Sequence, residues 1–365
     1  MNFIGRNLKI YRLLRNLSLK EAGELLNMSP TAVAKYESGE ICPDSQKLIL
    51  FANAYKVKSS VLLKSYNNPV MSFNSFRKKK RLCGKNLDLL KNVIQDEVSK
   101  YLEILEIANF DNKINSKFKI YKCYDFSDAE SAANLFRSYI GISNKQPISD
   151  LINIIENLGI IVVQIKNINN KFDDFDGLCE IINGIPIIVI LDNIKDGARQ
   201  RFTIAHELGH LLLNINNNEM DEEKLCHRFA SAFLMPKEAI INEFGHYRSN
   251  ISFYELISFK KEFKVSYTAI LYRLKELNII NEYIYKKFSI FISSRFGKND
   301  PDPITPEKSY HFKKMVHRFE SDGIISLNKA CDLLGETIDE YNRENYSNWY
   351  KYYNWLTYCW SFKKV

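Results

Sequence analysis

Apolar residues recur at helical spacing near the start of the chain, from Ile4 to Leu14 and again from Leu19 to Leu26. This spacing predicts two short helices, and Ser18 stands where an N-cap of the second helix is expected. A third helix is predicted from Thr31 to Ser38, because Gly39 suits the residue that follows a helix end. The first sixty residues are therefore expected to form a small all-α domain.

The third predicted helix presents small, polar and cationic side chains outward near its start. By helical spacing these are Thr31, Ala32, Lys35 and Tyr36, and Ser29 precedes them as the cap. Such side chains near a helix N-terminus are what contact with the DNA major groove requires. We expect Thr31, Ala32 and Lys35 to contact bases. Ser29 and Tyr36 are expected to contact phosphates.

The stretch LSLKEAGELLNMSPTAVAKYESGEICPDSQKLILFANAYKV resembles the phage-repressor-like (XRE-type) helix-turn-helix family. The likeness rests on the alanine of the second helix, the serine-capped third helix, Glu37-x-Gly39 and Pro43, and it covers about residues 3–64. It implies a double-stranded DNA operator as partner, bound by a homodimer. The alternative is a small helical bundle that serves dimerisation or peptide binding.

Charge is unevenly distributed along the chain. Residues 1–100 carry 18 Lys and Arg against 8 Asp and Glu, whereas residues 101–365 carry 33 against 35. A polyanionic partner is therefore expected at the N-terminal end. The cationic run from Arg77 to Arg81 either tracks phosphates or is a solvated surface, and the second reading is favoured. A long helix is predicted from Leu87 to Ile107.

The segment RQRFTIAHELGHLLLN places His206 and His210 four residues apart on an otherwise apolar helix. Both imidazoles then project from one face about one turn apart, so that two nitrogens can bind one zinc ion. Glu207 lies between them and can take a proton from a water that zinc activates. The spacing predicts His206 and His210 as metal ligands and Glu207 as the catalytic general base.

A third zinc ligand is expected from the acidic start of the next helix, MDEEKLCHRFASAFLMP. Asp221, Glu222 and Glu223 are the candidates. Counting back along the apolar face from Phe229 reaches Cys226 and then Glu223, which places Glu223 on the side that faces the first helix. Glu223 is the predicted third ligand, and Glu222 is the second choice.

The segments RFTIAHELGHLLL and ExxCHRFASAFLMP together resemble the ImmA/IrrE metallopeptidase family over roughly residues 125–245. The resemblance implies a zinc metallopeptidase-like domain that acts on a repressor or antitoxin-like protein. Manganese is a second possible metal for histidine and carboxylate ligands. The family usually has Asn or Asp where this chain has His227, which can hydrogen-bond a ligand or compete for the metal.

Two short segments rich in β-branched residues precede the histidine helix, GIIVVQI at 159–165 and GIPIIVILD at 184–192. They predict strands of a small sheet that either holds an extended substrate or only covers the helices. Further along, two helix pairs are predicted with Ser266 and Ser326 as caps. Core packing is the favoured role of these pairs, and a second DNA site is the alternative.

The expected fold class is α+β and mostly α. The predicted domains are an all-α helix-turn-helix domain at 1–66 and a basic linker with a long helix at 67–124. A zincin-like metallopeptidase domain with a small sheet follows at 125–250, and a helical C-terminal region occupies 251–365. Seven scattered cysteines without a CxxC pair indicate reduced thiols. Charged residues near the N-terminus and the lack of a run of ~20 apolar residues predict a cytoplasmic protein without a membrane partner.

Two functions are compatible with these features. The first is a DNA-binding transcriptional regulator with a zinc metalloendopeptidase-like domain that cleaves a repressor or antitoxin-like protein. The second is a non-proteolytic repressor or antitoxin of a toxin-antitoxin operon, in which the peptidase fold serves as a sensor or docks a cognate toxin. Intact His206, Glu207, His210 and Glu223 favour the first function.

Overall fold

The computed structural model describes residues 3–63, 85–108, 119–167, 170–192, 194, 196–215, 221–297 and 302–343. The chain divides into two compact units. One contains Met1–Tyr66, Ser99–Phe110 and Tyr310–Val365, and the other contains Asn67–Val98 and Asp111–Ser309. The cationic run at 77–81 lies outside the described residues.

Helices make up the described part of the first unit. At the N-terminal end they are α1 (Phe3–Leu14), α2 (Leu19–Leu26), α3 (Pro30–Ser38), α4 (Ser45–Tyr55) and α5 (Ser59–Leu62). Helix α6 (Lys85–Ile107) begins in the second unit, and α15 (His311–Ser321) and α16 (Leu327–Leu334) belong to the first. The three N-terminal helices predicted from the spacing are confirmed.

The local signals that end and begin these helices are present in the structure. Ser18 and Glu21 form a capping box at the start of α2, and Ser29 accepts a hydrogen bond from the Ala32 amide at the start of α3. Gly39 ends α3 with a φ of 79°, a left-handed conformation that glycine adopts without strain. The caps thus determine where α3, the helix predicted to contact DNA bases, begins and ends.

A buried ion pair ties α1 to α3. The Arg12 guanidinium donates to both carboxylate oxygens of Glu37 at 2.5 and 2.9 Å. Both side chains are almost fully buried, beside a core that includes Leu8, Val33 and Phe51. A bidentate pair of this kind fixes orientation as well as distance. It holds α3 at a defined angle on the rest of the domain.

The described part of the second unit contains five strands and most of the remaining helices. Its strands are β1 (Tyr121–Cys123), β2 (Ile161–Ile165), β3 (Gly177–Ile182), β4 (Ile185–Leu191) and β5 (Leu213–Ile215). Its further helices are α7 (Phe126–Tyr139), α8 (Leu151–Asn157), α9 (Gly197–Leu212), α10 (Glu222–Leu234), α11 (Lys237–Phe244), α12 (Phe253–Phe263), α13 (Tyr267–Glu276) and α14 (Glu282–Phe296).

Three of the strands form one sheet in the order β2-β4-β3. The two strands predicted from sequence are β2 and β4, and they pair in parallel. The sequence did not predict β3, which runs antiparallel to β4. Asn183 and Gly184 connect β3 to β4 with φ of 52° and 81°, a backbone conformation typical of tight hairpin turns. A second, two-stranded sheet pairs β1 with β5 in parallel.

Helices α7, α9 and α10 share one hydrophobic core with the larger sheet, in which Ile188, Leu208, Phe229 and Phe233 are fully buried. The predicted caps of the later helix pairs are confirmed: Ser266 begins α13 and Ser326 begins α16. The predicted fold class, α+β and mostly α, is also confirmed.

Two further observations bear on the sequence expectations. Among the described residues, no helix has both the length and the apolar character needed to cross a bilayer. The five cysteines of the described part, Cys42, Cys123, Cys179, Cys226 and Cys331, are free thiols.

Candidate functional site

Helix α9 carries both histidines of the motif and the glutamate between them. Asp196 caps the helix by accepting a hydrogen bond from the Ala198 amide. His206 and Glu207 are buried, with 8% and 2% of their surfaces exposed. The Nε2 atoms of His206 and His210 lie 3.2 Å apart, so the two rings converge on one point as the four-residue spacing predicts.

Helix α10 brings a carboxylate to the same point. Glu223 lies in the first turn of α10 and its carboxylate oxygens lie 3.1 Å from Nε2 of His206 and 3.5 Å from Nε2 of His210. Donor atoms of these three residues all lie within 4.8 Å of one another. The three predicted ligands therefore meet in space, although Glu223 comes 13 positions after His210 in the chain.

The alternative ligand Glu222 has a different position. Its carboxylate lies 2.9 Å from Nδ1 of His210, on the far side of the ring from Nε2. A carboxylate on the second nitrogen of a ligating histidine fixes the ring and its tautomer. Nδ1 of His206 is buried without a hydrogen-bond partner in the described part of the chain. The two histidines are thus oriented by different means.

His227 lies against His206 rather than in the cluster of donor atoms. The centroids of its ring and the His206 ring are 4.4 Å apart, and the Phe202 ring stacks on it at 5.6 Å. Among the described residues, the group of side chains that can share a metal contains His206, His210 and Glu223 and does not include His227. His227 therefore contacts a predicted ligand through its ring.

Two glycines allow the close approach that builds the site. A Cβ atom on Gly209 would lie 3.3 Å from the Cα and Cβ of Cys226, so α9 and α10 are nearly in backbone contact beside His210. A Cβ on Gly177 would lie 2.7 Å from Cγ2 of Thr203 and 3.2 Å from Cγ of Glu207. The start of β3 is therefore pressed against the predicted general base.

The electrostatics of the cluster suit a cation. Burial lowers the pKa of His210, but hydrogen bonds with Cys226 and Glu223 outweigh burial and raise it to about 11. Hydrogen bonds from His206 and His210 hold the pKa of Glu223 well below its usual value. Two imidazole nitrogens and a carboxylate form a ligand set that zinc accepts, with a further coordination position left for water or substrate. These residues therefore fit a catalytic zinc ion.

Of the five residues predicted to contact DNA, Ser29, Thr31, Ala32 and Lys35 lie at the start and along α3, whereas Tyr36 is half-buried against the core of the domain. Thr31 and Lys35 are exposed, and Ala32 is half-buried. Lys35 forms an exposed ion pair with Glu40 at 3.1 Å, which a phosphate can displace at little cost. The Tyr36 ring packs edge-on against Phe51 at 5.4 Å.

Gly177 and Thr203 were not predicted from the sequence as neighbours of the cluster, whereas Cys226 was placed on the helix face turned toward it. The only local sign of the β3 hairpin was Asn183-Gly184, a dipeptide typical of two-residue turns. Thr203 carried no sign, because its place beside the site depends on a contact with Gly177, which lies in a distant segment. His246, to which no role was assigned, does not belong to the metal-ligating group found among the described residues.

Comparison with known protein families gives two matches. Residues 155–275 match a peptidase family described as the IrrE N-terminal-like domain, and residues 8–62 match the family described as helix-turn-helix. No curated protein matches the chain. The matches support a DNA-binding regulator with a domain of metallopeptidase-like fold. The chain thus joins a helix-turn-helix domain to an IrrE N-terminal-like domain, as its sequence motifs predict.

Proposed function

We propose that this chain is a transcriptional regulator that binds operator DNA and cleaves a repressor or antitoxin-like protein with a zinc-dependent endopeptidase site. His206, His210 and Glu223 hold the metal, which is zinc or manganese. The observation that carries the proposal is the convergence of these three side chains beside Glu207, a buried carboxylate. A structural histidine pair would not need a carboxylate from a second helix.

Each residue of the site has a separate role in the proposed reaction. A zinc ion held by His206, His210 and Glu223 would supply Lewis acidity toward the scissile carbonyl and the attacking water. Glu207 takes the proton of the attacking water and passes it to the leaving amine. Because Gly177 of β3 lies against Glu207, a substrate strand paired with the edge strand β3 would pass directly over the general base.

DNA binding is the role of the N-terminal domain. Helix α3 enters the major groove, where Thr31, Ala32 and Lys35 contact base edges while Ser29 and Tyr36 contact phosphates. A homodimer places two copies of α3 on a palindromic operator about one helical turn apart. The protein then acts in the cytoplasm, where operator and substrate protein are both present.

Replacing Glu207 by Gln tests the proposed function. The amide keeps size and hydrogen bonding but does not accept the proton, so cleavage should fall on the order of 10²-fold or more. Labelling of new protein N-termini in cells should show a cleaved repressor or antitoxin-like protein with the wild type, and lose it with Glu207→Gln. Glu238→Gln on α11, where the side chain is exposed, is the matched control.

The same experiment separates the two candidate functions. Zinc content and DNA binding should survive Glu207→Gln, because the side chain is neither a metal ligand nor part of α3. If wild type and variant give the same set of N-termini and repress a reporter equally, proteolysis is refuted. The chain would then be a non-proteolytic repressor or antitoxin that docks a toxin on the peptidase fold.

A further inference from the structure

An extended segment of the chain, residues 302–309, lies on the peptidase-like domain and is called the strap. It follows α14 and belongs to the same compact unit as α8, β2 and α9. None of its residues is in a helix or strand. The strap is therefore held by what it contacts and has no secondary structure of its own.

Two glutamine side chains bind the backbone of the strap. Gln200 on α9 accepts from the Glu307 amide at 2.7 Å and donates to the Glu307 carbonyl at 2.9 Å. Gln164 on β2 donates to the same carbonyl at 3.0 Å and accepts from the Ser309 amide at 2.8 Å. A side-chain amide that pairs with both backbone groups of one residue mimics a neighbouring strand. This recognition is independent of the side chains of the bound segment.

The side chain of Glu307 is held by charge as well as by a hydrogen bond. The carboxylate of Glu307 receives an ion pair from Arg201 and a hydrogen bond from the Ile152 amide at 2.9 Å. Only 1% of Arg201 is exposed, and its guanidinium also donates to the Ile148 carbonyl at 2.7 Å. A buried guanidinium without a carboxylate would be strongly unfavourable. The site formed by Gln164, Gln200 and Arg201 therefore requires an acidic residue at one position.

The strap lacks the apolar anchors that make a segment permanent. None of residues 302–309 is buried, and the segment contains Pro303 and Pro306, which favour an extended backbone. The contacts that hold it are polar, so a peptide that offers the same backbone groups and a carboxylate can replace them one for one without leaving Arg201 unpaired. Proline also reduces the entropy lost when such a segment binds again. A segment with these properties can dissociate from its site and bind again.

Part of this strap-binding site lies on α9, the helix that carries two of the three predicted metal ligands. The Gly197 amide donates to the Ile304 carbonyl at 2.8 Å, and a Cβ on Gly197 would meet the Thr305 carbonyl oxygen at 2.6 Å. Gly197, Gln200 and Arg201 occupy the first turns of α9, which continues to His206. Whatever occupies the site therefore contacts the start of this helix.

We propose that Gln164, Gln200 and Arg201 form a docking site for an extended, proline-containing acidic peptide of a partner protein, and that the strap is an internal ligand that this peptide displaces. The inference does not depend on peptidase activity or on metal. It assigns the domain a second binding site, separate from the cluster at His206.

The first test uses a fluorescent peptide with the strap sequence DPITPEKSY. The full-length Glu307→Gln variant keeps the shape of the strap but removes its charge, so the strap should leave Arg201 more readily. This variant should bind the peptide about ten-fold or more tightly than the wild type does. Asp302→Asn is the matched control, because Asp302 also lies in the strap but forms an ion pair with exposed Lys261 at 3.2 Å and not with Arg201. Equal affinity of the two variants would overturn the proposal.

A second test uses the wild-type chain, so its outcome does not depend on whether a variant folds. Hydrogen exchange of the Glu307 and Ser309 amides is measured in the wild type with and without excess peptide. Displacement of the strap should raise their exchange rates about ten-fold, and a peptide with Gln at the glutamate position should have little effect. Unchanged exchange at saturating peptide would show that the strap is a fixed part of the domain.

Discussion

Replacing Gly209 by Ala should weaken metal binding much more than it weakens the fold. The added Cβ would lie 3.3 Å from three atoms of α10: Cα and Cβ of Cys226 and Cδ1 of Phe229. Two of these atoms belong to or adjoin the backbone, so α10 must move by a few tenths of an ångström. Glu223 lies one turn before Cys226 on the same helix and moves with it.

The magnitudes of the two effects differ. Overpacking a core position costs about 1–3 kcal/mol, while alanine favours a helix over glycine by about 1 kcal/mol. The free energy of unfolding should therefore fall by only about 0–2 kcal/mol. A zinc site tolerates deviations of only ~0.2 Å in its metal–ligand distances. Mutations that disturb the orientation of a ligand typically lower metal affinity by about 10–100-fold.

Competition with a chromophoric chelator measures the zinc affinity, and thermal unfolding measures stability. Lys224→Ala is the control, because Lys224 is exposed on the same turn of α10. The reasoning is refuted if Gly209→Ala binds zinc within about two-fold of the wild type. It is also refuted if the domain unfolds outright, since that would mean that the packing of the helices, and not the ligand geometry, depends on this glycine.

Three other outcomes are expected. Glu130 hydrogen-bonds fully buried Arg273 at 2.5 and 3.2 Å, so Glu130→Gln should lower the free energy of unfolding by about 2–4 kcal/mol in urea titrations. Burial raises the pKa of Glu130, but hydrogen bonds and charge from Arg273 outweigh burial and hold it below 4.5. The stabilising effect is thus present above pH 4.5 and lost as pH falls through the lowered pKa, and the difference between wild type and variant should shrink there. Lys35→Ala should weaken binding to a palindromic DNA selected by the wild type by about 1–3 kcal/mol. Lys9→Ala on α1 is the control and should have a smaller effect. An equal loss of DNA affinity in both variants would contradict the role of Lys35.

The structural features that could be predicted from the sequence are those that depend on residues close together along the chain. The caps at Ser18, Ser29, Ser266 and Ser326 each bind the amide three residues further on, so their effect is visible in a short stretch of sequence. The meeting of His206 with His210 follows from helical periodicity alone. The selection of Glu223 used periodicity too, combined with the position of the apolar face.

Features that depend on distant pairing were not predictable in this way. Strand β3 has the mixed sequence GLCEII, which carries little alternation, and its place at the sheet edge depends on pairing with β4. Glu307 lies more than 100 residues from both Gln200 and Arg201, so nothing near the strap shows that it is bound. The contact of the His227 ring with the His206 ring likewise arises between two helices.

The metal content of the purified protein tests the central claim most directly. Elemental analysis of the full chain should find about one zinc ion per molecule, or manganese in its place. The His206→Ala/His210→Ala double variant should contain almost none, because it retains only one of the three ligands. Equal metal content in the two proteins would contradict the assignment of His206, His210 and Glu223 as a metal site.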